Sequence, residues 1–190
     1  ISKSCETSKV MKSVKSALTE AVTRLATDHP RLDADVLLAH ALNVPRSWIS
    51  AHPAAQISPA DYARYNHYIE LVSGGTPLPY VVGHWEFYGL DFKLDSRALI
   101  PRPETELLVE QALSLSGPGL SDIRIADIGT GAGIIAITLA LNLPQAEIIA
   151  TDISARALAL AQENAVKHRV SDRISFAHLD LMEGLGRFDL

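Results

Sequence analysis

Cysteine is nearly absent from the sequence: Cys5 is the only one. A single thiol excludes an internal disulfide and any zinc site built on several cysteines, and a reducing setting is the simplest reading. Long apolar runs are missing too. None approaches the roughly 20 residues that span a bilayer. The polar stretch from Ile1 to Lys9 also lacks the apolar core of a signal peptide, so a cytoplasmic location is expected. Positive charge is not in excess. Lys and Arg number 17 against 22 Asp and Glu, a formal net charge of -5. That argues against a chain whose affinity comes from coating a phosphate backbone, and no direct nucleic-acid partner or membrane partner is expected. The seven histidines show no metal-ligand spacing, so no metal is expected. Apolar residues, by contrast, make up 47% of the 190 positions, enough for a core in one large domain or two small ones.

The first part of the chain has helical period. Val10, Val14, Ala17, Leu18, Ala21, Val22 and Leu25 recur at helical spacing, and so do Ala34, Leu37, Leu38, Ala41 and Leu42. Ser58-Pro59-Ala60-Asp61 opens a third helix with a capping hydroxyl, a proline suited to the first turn and an acidic residue at its positive end. Tyr62, Tyr65, Ile69 and Val72 mark its buried stripe, and Gly74-Gly75 stops it. The period then changes. Tyr80 to Gly83, Trp85 to Tyr88 and Leu90 to Leu94 have the aromatic, alternating content of strands, with Gly89 at a turn. Pro103 starts a further helix whose expected apolar face is Leu107, Leu108, Ala112 and Leu115, and Ser116 to Gly119 reads as a loop. These shifts divide the chain into a leader or cloning remnant (1–11), a helical domain (12–75), a β-hairpin linker (76–100) and an α/β domain (101–190).

From Ile123 the order is strand, glycine loop, helix, strand, helix, strand, which predicts a parallel right-handed βαβ sheet. Ligands bind beyond the carboxyl ends of such strands. Asp127, Asp152 and Asp180 all fall there, beside the loop Gly129-Thr130-Gly131-Ala132-Gly133. Asp152 comes 23 residues after Gly129, close to the offset of about 20 at which a carboxylate meets ribose hydroxyls. Gly131 to Ala136 also satisfies the G-x-G-x-x-A pattern of dinucleotide sites. Asp127 discriminates: a carboxylate beside the loop repels a pyrophosphate and suits the ammonium and sulfonium of S-adenosylmethionine. Asp180 is placed to accept from an adenine amino group.

These residues carry a resemblance. Arg31-Leu32-Asp33-Ala34-Asp35-Val36-Leu37-Leu38, Gly75 to Tyr80 with Gly83, Glu86-Phe87 and Gly89, Leu99 to Glu106 around Pro-Arg-Pro-Glu-Thr, and Asp127 to Gly133 follow one another as in the HemK/PrmC family. That family comprises the protein-(glutamine-N5) methyltransferases of peptide chain release factors. Asp152 and Asn164 also fall at matching places. The resemblance implies an α/β fold: a Rossmann-like class I methyltransferase sheet, incomplete at its C-terminal side, preceded by a small helical domain and a hairpin. It implies S-adenosylmethionine as cofactor, S-adenosylhomocysteine as product and release factors as protein substrate, with the helical domain docking them. Its cofactor residues would be Asp127, Gly129, Thr130, Gly131, Ala132, Gly133, Asp152, Ile153, Asp180 and Leu181. Pro101, Arg102 and Glu104 are expected to line the substrate entrance.

Two departures stand out. The family's catalytic Asn-Pro-Pro-Tyr occurs nowhere in the 190 residues, so no catalytic residue is assigned and negligible turnover is expected of this length of chain. Leu181 stands where many relatives carry an aromatic residue. The alternatives are a methyltransferase acting on another amide or amino nitrogen, such as adenine N6, a nicotinamide-dependent oxidoreductase, or a non-catalytic fragment.

Overall fold

The computed structural model describes residues 11–116, 123–181, 184 and 186–190. The expected leader with Cys5, and the expected loop from Gly117 onward, lie outside the described residues. Two compact units result, residues 1–82 and 83–190.

The first unit is helical. Strand β1 (Lys12–Ser13) leads into α1 (Val14–Arg24), where Ser13 accepts the Ser16 N–H at 3.2 Å. Helix α2 (Pro30–Leu42) starts on a proline, whose missing N–H costs nothing in a first turn, and stops at Asn43 in the left-handed region (φ 52°). A short α3 (Arg46–Ala51) and a two-residue strand β2 (Gln56–Ile57), antiparallel to β1, precede α4 (Pro59–Ser73). Ser58 caps α4 by accepting the Asp61 N–H at 3.1 Å. Val14, Leu18, Leu37, Leu38, Ile49, Tyr65 and Ile69 fill the core, and the Tyr65 hydroxyl donates to the Ala34 carbonyl at 3.2 Å. The expectation of strand at Tyr80 to Gly83 fails. Leu78–Val82 forms a fifth helix, α5, whose Val82 is buried against the same core. Tertiary packing, together with a proline in the first turn (Pro79), overrides the β preference of the aromatic and valines there.

The second unit opens with a hairpin of β3 (His84–Phe87) and β4 (Leu90–Lys93). Tyr88 and Gly89 both have positive φ, 52° and 71°, as a two-residue type I′ turn requires. The tip is held by Glu106, whose carboxylate accepts the Tyr88 N–H at 2.9 Å. Helix α6 (Glu104–Leu115) packs on a different face from the one expected. Leu107, Leu108 and Leu115 are 59%, 57% and 63% exposed, and Val109 is the buried residue. Leu107, Leu108, Val109, Ala112, Leu113 and Leu115 spread over more than half of the helix circumference, so the choice of packed face within that arc is not fixed by the period.

The parallel sheet comprises β5 (Arg124–Ile128), β6 (Glu147–Asp152) and β7 (Ile174–His178), in that spatial order. Helix α7 (Ile134–Asn142) connects the first pair and α8 (Ala155–Lys167) the second. On the other edge of β5, the Leu190 N–H donates to the Arg124 carbonyl and the Ala126 N–H to the Leu190 carbonyl, at 3.4 and 3.0 Å. This is a parallel pattern, and the Arg124 guanidinium over the Phe188 ring, 5.0 Å from its centroid, reinforces it. Strand β5 thus has β6 on one side and returning chain on the other. Its carboxyl end is a topological switch point, the position where such sheets open a crevice for ligands.

Candidate functional site

The loop after β5 is held by hydrogen bonds from its backbone N–H groups, most of them to the end of β6. The N–H groups of Gly129 and Thr130 both donate to the Thr151 carbonyl at the end of β6, at 2.9 and 2.8 Å. The Gly131 N–H donates to Asp152 Oδ2 at 2.9 Å, and the Gly133 N–H to the Thr130 carbonyl at 2.9 Å. Gly129, Gly131 and Gly133 have φ values of 74°, 58° and 79°. Gly133 is the position where size matters most, since a Cβ there would sit 2.9 Å from the Ala161 Cβ on α8. The glycine therefore sets how closely α7 starts against α8.

Asp127 lies at the penultimate position of β5 and is 8% exposed. Its Oδ2 accepts from Thr130 Oγ1 at 2.6 Å and from the Ala136 N–H at 3.1 Å. Ala136 is in the first turn of α7, whose N-cap Gly133 has no side chain to offer. Asp127 therefore caps that helix from the neighbouring strand, at its positive end. Burial pushes its carboxyl above the ordinary value, the Thr130 and Ala136 bonds pull it back, and the charge of Asp152 adds to the rise.

Asp152 ends β6 and also accepts twice, from the Gly131 N–H on Oδ2 and from the Ser154 N–H at 2.8 Å on Oδ1. A carboxylate has about four lone-pair sites, so capacity for further donors remains on both oxygens. Ile153 follows, 69% exposed, and its carbonyl lies 2.8 Å from His178 Nε2. Asp180 is exposed beyond β7, and Leu181 is 70% exposed with φ 58°. The Leu179 N–H donates to the Asp152 carbonyl at 3.3 Å, so the ends of β6 and β7 stay together.

A cavity of about 500 Å³ opens over the loop. Its lining takes in Gly129, Thr130, Gly131 and Ala132 of the loop, Pro101, Arg102 and Glu104, and the apolar Leu99, Ile100, Leu108 and Ile135. The structure thus brings the expected entrance residues onto the expected cofactor loop. Asp127 and Gly133 stand behind this lining, and Asp152, Ile153, Asp180 and Leu181 lie outside it. The entrance segment is fixed from below: Ala98 lies under Gly131, 3.7 Å from where a Cβ would be, and Arg97 makes paired bonds to Asp95 and a 2.6 Å bond to Glu163 of α8.

Sequence reasoning missed the apolar lining at Leu99, Ile100 and Leu108. It also noted Asn164 only as a match, although the signal for a role is visible: a polar residue inside the apolar stripe Ala157, Leu158, Ala161 and Ala165.

Two family models match the chain in succession, the PrmC N-terminal domain over residues 16–83 and the methyltransferase small domain over residues 103–190. The chain belongs to the HemK/PrmC family. Among curated relatives, the release factor glutamine methyltransferase of Moorella thermoacetica is 42% identical over 175 residues, covering 90% of this chain and 62% of that protein. The protein of the same name from Koribacter versatilis is 43% identical over 155 residues, covering 78% of this chain and 55% of that one. The chain therefore spans somewhat over half the length of these HemK/PrmC relatives. A solved SAM-dependent methyltransferase from Geobacter sulfurreducens, in complex with S-adenosyl-L-homocysteine, overlaps 42% of this chain and 30% of its own, at 27% identity and a TM-score of 0.33. Among the described residues no helix is long and apolar enough to cross a membrane, and no cluster of His, Cys, Asp and Glu could hold a metal ion.

Proposed function

We propose that the protein transfers a methyl group from S-adenosylmethionine to the side-chain amide nitrogen of a glutamine in a peptide chain release factor. The observation that carries this reading is the inward turn of the glycine loop. A dinucleotide site points loop amides and a helix N-terminus at a pyrophosphate. Here the amides of Gly129, Thr130 and Gly131 are consumed by Thr151 and Asp152, and the N-terminus of α7 is occupied by the Asp127 carboxylate. Two carboxylates behind the loop suit a cationic ligand without phosphate, which is the chemistry of S-adenosylmethionine. The names and the 42–43% identity of the relatives support the reaction and the substrate.

When bound, the cofactor supplies a methyl group activated on a sulfonium. The loop backbone at Gly129 to Ala132 bears on its methionine portion, with the charge of Asp127 close behind. Asp152 accepts from the ribose hydroxyls with its remaining lone pairs. Asp180 accepts from the adenine amino group, while Ile153 and Leu181 offer exposed apolar surface to the ring. Pro101, Arg102 and Glu104 line the entrance through which the substrate amide approaches. An amide nitrogen is a poor nucleophile, so the rate depends on positioning and electrostatics. A release factor as substrate makes the cytoplasm the working compartment, and the helical unit is the docking element for it.

Titration calorimetry with S-adenosylhomocysteine and with NAD tests the cofactor, and labelling from methyl-labelled S-adenosylmethionine tests the acceptor. Binding of S-adenosylhomocysteine alone is expected, and label on a release-factor glutamine is expected from a chain of the relatives' full length that carries the Asn-Pro-Pro-Tyr absent from these 190 residues. Binding of NAD alone would overturn the cofactor assignment. Label on adenine-containing DNA but not on release factor would overturn the substrate.

A further inference from the structure

Asn164 on α8 is fully buried, and every polar atom of its side chain is used. Its Oδ1 accepts the Lys93 N–H at 2.8 Å, and its Nδ2 donates to the Lys93 carbonyl at 3.0 Å and to the Ala132 carbonyl at 2.9 Å. One side chain therefore joins three elements distant in sequence: the last residue of β4, the loop that walls the cavity, and α8. We infer that Asn164 is a positioning residue that sets the shape of the glycine loop for its ligand, and that it locks the hairpin to that loop. The inference rests on the reading of the loop as an S-adenosylmethionine site.

The chemistry leaves few substitutes. Lys93 presents both a donor and an acceptor, which only an amide can match in one plane, and Ala132 adds an acceptor that needs the second amide hydrogen. The Ala132 carbonyl adjoins Gly133, whose φ of 79° turns the chain into α7. Freed from Nδ2, that peptide would be a buried acceptor without a partner and would rotate to find one. The turn into α7, and with it the cavity wall, would follow. Neighbouring contacts point the same way. Glu163, one residue earlier, pairs with Lys93 and with Arg97, so α8 grips the strap from β4 to Ala98 both at its buried backbone and at its surface.

The test uses Asn164→Asp in the full-length protein. Aspartate keeps the shape and the acceptor for Lys93 but loses both donations. Asn164→Ser, which retains one possible donor in a smaller side chain, serves as the second variant should Asn164→Asp fail to fold. Leu160→Ala, a core truncation of the same helix, is the control for a merely structural loss. Calorimetry with S-adenosylhomocysteine, well below the melting temperature of every variant, should show at least a tenfold loss of affinity for Asn164→Asp and an intermediate loss for Asn164→Ser. Leu160→Ala should bind as the parent does. Amide hydrogen exchange without ligand should show Gly131 and Gly133 exchanging at least tenfold faster in the Asn164 variants, with β6 unchanged. Affinity and loop exchange that follow melting temperature alike in all three variants would overturn the positioning role. A parent protein that does not bind S-adenosylhomocysteine would overturn the cofactor reading instead, and the exchange comparison would still decide the role of Asn164.

Discussion

Gly133→Ala is the substitution whose cost the structure defines best. Gly133 has φ 79°, and an added Cβ would lie 2.9 Å from the Ala161 Cβ, 3.1 Å from Ile137 Cδ1 and 3.2 Å from the Ala161 Cα. Left-handed backbone costs an L-residue about 1–2 kcal/mol. Carbon atoms prefer separations of about 3.5–4.0 Å, so the new methyl overpacks the α7–α8 contact, at a further cost of about 1–3 kcal/mol. Gly129→Ala separates the two effects, because Gly129 has φ 74° but nothing within 4 Å of its would-be Cβ. It should lose only the conformational part, about 1–2 kcal/mol, and Gly133→Ala about 2–5 kcal/mol. Urea unfolding followed at Trp85, in a Trp48→Phe background that leaves one tryptophan in the second unit, reads the difference as a midpoint shift at constant slope. Adding Ala161→Gly should return part of the Gly133→Ala loss, a favourable coupling of about 1 kcal/mol or more in the double-mutant cycle. Equal losses at Gly129 and Gly133, or no coupling to Ala161, would refute the close-approach argument.

Asp127→Asn should separate the capping role from the charge. The amide oxygen can still accept from Thr130 and Ala136, so folding stability stays within about 1 kcal/mol of the parent, while affinity for S-adenosylhomocysteine, by calorimetry, falls at least tenfold. Burial raises the Asp127 carboxyl, so the fold favours its neutral form. Its contribution is complete below the unfolded value of about 3.9 and is lost as pH rises through the raised folded value. Urea midpoints measured from pH 4 to 7 should therefore move in favour of the Asp127→Asn variant over the parent as pH increases. Glu163 has the opposite sign: Arg97, then Lys93, pull its carboxyl down to about 2. Its stabilisation is present above the ordinary value of 4.5 and lost as pH falls toward about 2. The pair is exposed and screened, so Glu163→Gln should cost no more than about 0.5 kcal/mol at pH 7, and parent and variant should converge in acid unfolding. Arg102→Ala, at an exposed position, should leave the melting temperature unchanged; introduced into a chain of the relatives' full length it should reduce methyl transfer, and a wild-type rate there would remove Arg102 from the substrate entrance.

Much of the fold was legible because period and caps agree. Ser58 caps the helix that its position predicts, and the strands at Arg124, Glu147 and Ile174 pair in parallel as the alternation with helices implies. Legibility failed where a segment satisfies two patterns at once. Tyr80 to Val82 has strand composition but a helix's proline start, and α6 is apolar on too many sides for its packed face to be read. At the site, residue types and offsets could be read, but the direction of hydrogen bonds could not. Gly131 to Ala136 fits a dinucleotide fingerprint as written. What excludes a pyrophosphate is that Thr151 and Asp152, 22 and 23 residues beyond Gly129, return to take up the loop's donors. That closure depends on β6 lying beside β5 in register, Ile128 against Thr151. The ligand preference of the loop is therefore a property of the sheet, and a shift of that register by one residue would turn the same glycines into a different site.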